Sequence, residues 1–134
     1  MPVTSKDLIG LSFQLYSSGA ASEVELRAAI GRAYYAVYHE AVALADSLAL
    51  PVTRRDTGEH EQLISRYAGS SSKKLKIIAT RISSVKKART AADYHNTTRV
   101  MGPAVKQHIA SCTSILDELA RLTPSVSSQA SVTS

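Results

Sequence analysis

Three observations predict an all-α fold, an up-and-down bundle of four long helices plus a short fifth. The composition leans on Ala, Leu, Ile and Val and is poor in Gly, which favours helices over sheets. Apolar residues recur at helical spacing through several long stretches. The breaks between them carry Ser, Gly, Pro and Asn, residues that end helices. A chain of 134 residues suits one domain with one core, expected over 1–122. Residues 123–134, "TPSVSSQASVTS", are small and polar and are expected to form a flexible Ser-rich tail. No internal repeat is visible.

The first helix is expected from about Ser5 to Tyr16, ended by Ser18-Gly19. The second opens at "SEVE", where Ser22 as N-cap and Glu25 three residues on spell a capping box. It runs to about Leu48, and Pro51 closes it. Leu26, Ile30, Ala33, Val37, Ala41, Leu44 and Leu48 form one apolar stripe along it. Val24, Arg32, Tyr35, His39, Val42 and Asp46 lie on the opposite side. A helix decorated on both sides is central or sits at an interface.

"PVTRRDTGEH" reads as a loop, and Thr57 or Gly58 opens a short helix to about Tyr67. After the break "AGSSS" a long helix starts near Ser72. Leu75, Ile78, Ala79, Ile82 and Val85 share its apolar stripe, while Lys73, Lys76, Thr80, Ser83 and Lys87 lie on another side. Arg89 continues the apolar stripe, so the helix aims a guanidinium at a core, a partner or a pocket. "YHNTT" ends this helix; Asn96, Thr97 or Thr98 caps the last one, with Pro103 in its first turn. Met101, Val105, His108, Cys112, Ile115, Leu116 and Leu119 share a face to about Leu122.

Net charge is +5, unevenly spread. Between Arg54 and Arg99 eleven Lys or Arg stand against four Asp or Glu, a local excess of +7. Such an excess suits a phosphate-bearing partner, and equally a solvated lysine face. The single cysteine, Cys112, excludes an internal disulfide and reads as a small core residue. No run approaches the ~18 apolar residues of a membrane span. "MPVTSKDLIG" lacks the apolar core of a signal peptide, so a cytoplasmic protein without membrane attachment is expected. His60 and His108 have no further ligands at metal spacing, and no glycine-rich phosphate loop is present, so no metal or cofactor is expected.

Two stretches carry a family likeness. "GRAYYAVYHEA", Gly31 to Ala41, puts Arg, paired aromatics and His on a long helix, and "RTAADYHN" stands at the end of a later helix. Together they resemble the signatures of the HEPN superfamily (higher eukaryotes and prokaryotes nucleotide-binding), over about Ser5 to Leu122. The resemblance implies a dimerising helical bundle. It also implies a metal-independent endoribonuclease, a hydrolase acting as toxin of a toxin–antitoxin pair or in antiviral defence against phage. The implied hallmark is Arg followed by His after four to six residues, which Arg89 and His95 match, with the two protomers' sites facing each other. An adjacent nucleotidyltransferase-type antitoxin is the implied partner, besides RNA.

RNA cleavage without metal needs a base for the 2′-hydroxyl and a cation for the phosphorane. Arg89 and His95 are the candidate pair; the alternative is Arg89 paired to Asp93 one turn on, with His95 capping a loop. Asp93 is expected to hold Arg89 or orient His95, and Tyr94 to stack on a base or pack at the helix end. Arg32, Tyr35 and His39 either line the same cleft or form a buried network that fixes helix packing, with His39 read as a core histidine. Tyr34 and Tyr38 are expected in core or interface. Lys73, Lys76, Lys86 and Lys87 are the RNA-contact candidates, against simple solubility. The alternative function is a non-catalytic HEPN module that binds a nucleotidyltransferase or another protein.

Overall fold

Capping side chains set three of the helix starts in this chain. The Thr4 hydroxyl accepts from the Asp7 amide at 3.1 Å and the Asp7 carboxylate accepts from the Thr4 amide at 3.0 Å. Ser22 and Glu25 do the same, at 3.2 and 3.1 Å, which realises the capping box. Ser72 accepts from the Leu75 amide. The computed structural model describes residues 4–17, 22–94 and 102–123, and among these the fold is all-α with no strand. The helices are α1 (Ser5–Ser17), α2 (Glu23–Ser47), α3 (Glu59–Ala68), α4 (Lys73–Tyr94) and α5 (Gly102–Leu122). Four are long and α3 is short, as the periodicity predicts. The proposed caps Asn96, Thr97 and Thr98, together with Met101 and the tail beyond Thr123, lie outside the described residues.

Helix α2 is the central element and packs against all four others. Its stripe Ile30, Ala33, Val37, Ala41 and Leu44 is buried. From α4 the core takes Leu75, Ile78, Ala79, Ile82 and Val85, and from α5 Val105, Ile109, Cys112, Ile115 and Leu119. Leu48, placed at the end of the α2 stripe by periodicity, is instead 36% exposed. It is the C-cap residue, and the chain leaves the helix direction immediately after it. Ala49 takes a left-handed φ of 53°, with hydrogen bonds from the Ala49 amide to the Asp46 carbonyl and from the Leu50 amide to the Ala45 carbonyl. That is a Schellman closure with Ala in the position usually held by Gly, and Pro51 follows it.

Buried polar groups in the core are satisfied by α2 carbonyls. The Ser12 hydroxyl donates to the Ala29 carbonyl at 2.7 Å. The Tyr67 hydroxyl donates to the Ala41 carbonyl at 2.6 Å. His108 Nε2 lies 3.0 Å from the Ile30 carbonyl, which can only accept, so that nitrogen carries the proton. Cys112 is buried next to it, with Sγ 3.5 Å from the same nitrogen, and burial pushes its thiol up to about 12. No described helix is long and apolar enough to cross a membrane.

Candidate functional site

The middle of α2, the first turn of α3 and the last turns of α4 meet around a cluster of aromatic rings. Tyr34, Tyr35 and Tyr38 come from α2, one helical turn of consecutive and i,i+4 positions. Tyr34 and Tyr35 meet edge to face with centroids 5.8 Å apart, and Tyr35 and Tyr38 likewise at 6.5 Å. His60 enters from α3, whose N-cap is Gly58, and its ring stands 4.7 Å from Tyr38 and 5.4 Å from Tyr34. Its Nδ1 is 2.6 Å from the Tyr34 hydroxyl.

Arg89 enters from α4. Its guanidinium lies over the Tyr34 and Tyr35 rings, 5.7 and 5.4 Å from their centroids. Nη2 donates to the Tyr35 hydroxyl at 3.1 Å, and Nε pairs with Asp93 Oδ2 at 2.8 Å. The side chain is 13% exposed, so the amphipathic register of α4 does deliver a charge to the interior, as its sequence position demands. An interior guanidinium needs anionic and acceptor partners, and Asp93 and Tyr35 supply them.

The electrostatics follow from burial. Tyr34 is fully buried and its phenol is driven far above its ordinary value by desolvation, so it stays protonated. Burial raises Tyr38 too, with Glu59 adding to it through a 3.5 Å contact. His60 is shifted below its ordinary value, first by burial and then by the positive charges of Arg89 and Lys86; Glu59 and Glu61 oppose this. Lys86 pairs with Glu61 across α3 and α4 and holds that carboxylate below its usual range. Beside the pair a groove of about 310 Å³ opens between α3 and α4, lined by Glu61, Ser83, Lys86, Lys87, Thr90 and Ala91.

Of the residues the sequence singles out, Arg89, Asp93 and Tyr35 are brought together. His39 stacks near Tyr35 and Tyr38, at 6.2 and 5.7 Å, but it is exposed rather than a core histidine. Its position on α2 lies one turn past Tyr35, and its side chain is left open to solvent. Arg32 is exposed as well, so it belongs to no buried network. Lys73, Lys76 and Lys87 are exposed along α4, whereas Lys86 is half-buried and bound to Glu61. His95 and the side chain of Tyr94 lie outside the described residues.

Two contributors escape a reading of the sequence. His60 sits in a short helix and gains its role only through Tyr34, 26 residues earlier. Arg27 Nη1 donates to the Ala92 carbonyl at 2.7 Å, 65 residues away, and fastens the end of α4 that carries Arg89 and Asp93. Local pattern signals neither contact. No protein-family model, no curated protein and no solved structure matches the chain.

Proposed function

We propose that this chain is a HEPN-type endoribonuclease, a cytoplasmic toxin or phage-defence effector that cuts RNA without a metal. In this reading Arg89 stabilises the phosphorane and His95 serves as base. The chain works as a homodimer whose two sites face each other, opposite a nucleotidyltransferase-type antitoxin. The observation that carries the reading is the setting of Arg89: a guanidinium held among tyrosine rings near the end of α4, a helix whose Lys86, Lys87 and Thr90 line an open groove and whose other lysines are exposed. Arg offers a planar fork to phosphate oxygens, and aromatic rings offer faces for bases. The motif likeness in "GRAYYAVYHEA" and "RTAADYHN" supplies the rest.

The decisive experiment incubates purified protein with labelled RNA in the presence of EDTA. Cleavage that survives chelation and disappears in His95→Ala supports the reading. A chain that is monomeric by light scattering at micromolar concentration counts against the composite site.

A second reading is favoured by the 2.8 Å ion pair between Arg89 and Asp93. There Arg89 is a structural cation, and the chain is a non-catalytic HEPN module that binds a nucleotidyltransferase or another protein. Absence of cleavage under every condition, with a stable complex to a neighbouring gene product, would establish it.

A further inference from the structure

Beside Arg89 stands a second histidine that the motif does not include. His60 and Arg89 approach the same two rings, Tyr34 and Tyr35, from different helices. The His60 ring is fixed in place: three tyrosines surround it and its Nδ1 is bound to the Tyr34 hydroxyl. With Nδ1 occupied, Nε2 is the nitrogen left for a ligand, and the residue is only partly buried.

We propose that His60 is a catalytic residue of this site, exchanging a proton with the RNA substrate through Nε2 while Tyr34 acts as its positioning residue. The inference rests on the ribonuclease reading above. It keeps Arg89 at the phosphorane and moves the proton-accepting role from His95 to His60, a group that the Arg-to-His spacing does not predict.

The step balances as follows. Neutral His60, with its ring proton on Nδ1 and donated to the Tyr34 oxygen, takes the proton of the 2′-hydroxyl on Nε2, and the 2′-oxygen forms a bond to phosphorus. The bond from phosphorus to the 5′-oxygen breaks, leaving a 2′,3′-cyclic phosphate. The imidazolium proton passes to the departing 5′-oxygen, and His60 is neutral again. Arg89 faces the charge that develops on the phosphorane. As imidazolium, His60 donates Nδ1–H to the Tyr34 oxygen, and a hydroxyl can accept as readily as it donates.

The charged and titratable groups around the ring come from three helices. They are Tyr34, Tyr35 and Tyr38 on α2, Glu59 and Glu61 on α3, and Lys86 and Arg89 on α4. Burial and the two cations outweigh the two carboxylates and keep the ring neutral at neutral pH, the form that accepts a proton. A purely structural histidine would serve only as the hydrogen-bond partner of Tyr34.

His60→Asn separates these roles, because an Asn side chain keeps a polar atom near the position of Nδ1 and cannot titrate. Cleavage of labelled RNA by the full-length wild type and by His60→Asn is measured across pH 5 to 8. The His60 ring is followed by NMR while a non-cleavable 2′-O-methyl dinucleotide is added. The expected result is a loss of ~100-fold or more in cleavage rate, the scale of positioned proton transfer, with an unchanged melting temperature. The acid limb of the wild-type profile should vanish in the variant, and the dinucleotide should shift the ring resonances. Tyr34→Phe should move the acid limb rather than remove it. Wild-type cleavage matched by His60→Asn overturns the proposal while leaving the ribonuclease reading intact. So does a ring unmoved by bound dinucleotide. A wild type that cleaves no RNA overturns both together.

Discussion

Arg27 on α2 and Ala92 on α4 are joined by a 2.7 Å hydrogen bond from guanidinium to carbonyl. The last carbonyls of a helix have no partner within it, and a cation there also meets the negative end of the helix dipole. Arg27→Met is expected to lower stability by about 2 kcal/mol, the scale of a hydrogen bond to a charged group. It should also speed amide exchange selectively in the last turn of α4. Urea unfolding and hydrogen exchange check the two effects, and unchanged exchange in that turn would show that the contact fastens nothing.

Arg89→Ala is expected to abolish RNA cleavage. Asp93, 35% exposed, can be rehydrated when its partner goes, so the cost in stability should stay near ~1 kcal/mol, short of a fully buried pair. Arg89→Lys should not restore activity, because Lys cannot reach the Tyr35 hydroxyl and Asp93 with one planar fork. A variant that melts several degrees lower yet cuts RNA at the wild-type rate would sink the functional role of Arg89.

The exposed lysines predict a salt signature. If Lys73, Lys76 and Lys87 meet phosphates, replacing all three by Ala should flatten the slope of log affinity against log salt by about 2, at ~0.7 per contact on a single strand. Lys86→Ala should leave the slope nearly unaltered, since Glu61 already holds that lysine. Fluorescence anisotropy with labelled RNA at several salt concentrations reads both.

How much of this was legible in the sequence depends on how far apart the partners lie. The Ser22–Glu25 capping box spans three residues and is visible as written. The stripes of α2, α4 and α5 follow from a fixed angle per residue, and so does the inward aim of Arg89. The Arg89–Asp93 pair, four apart on one helix, was available as an alternative for the same reason. His60 was not, because its partner belongs to another helix and no local period encodes that packing. His39 is exposed where its helical position suggests a core residue, because periodicity says which positions share a side but not how deeply a neighbouring helix covers each of them.

Buried His108 gives stability a pH dependence of known sign. Desolvation holds its folded-state value below the ordinary 6.5, so the unfolded chain binds the proton more readily. His60 is shifted in the same direction. Stability from these two groups is therefore complete above about pH 6.5 and falls as the pH drops below it. His108→Gln, which keeps an N–H donor for the Ile30 carbonyl but cannot titrate, should flatten that fall between pH 7 and 5 in chemical unfolding curves.

Ala49→Gly should stabilise the protein by about 1 kcal/mol. A left-handed conformation costs an L residue with a Cβ roughly that amount, and Gly avoids it. The gain is measured by urea unfolding, and a loss of stability would mean that the greater freedom of Gly in the unfolded chain dominates.

The contact of α2 with every other helix has a consequence for how the molecule comes apart. Carbonyls of this one helix receive the hydroxyls of Ser12 and Tyr67 and the imidazole of His108, so α1, α3 and α5 each lose a polar anchor when it melts. A partially opened form would strand those groups in apolar surroundings. Denaturation should therefore run as one cooperative event, with α2 amides exchanging only through global opening and the terminal turns of the other helices exchanging first.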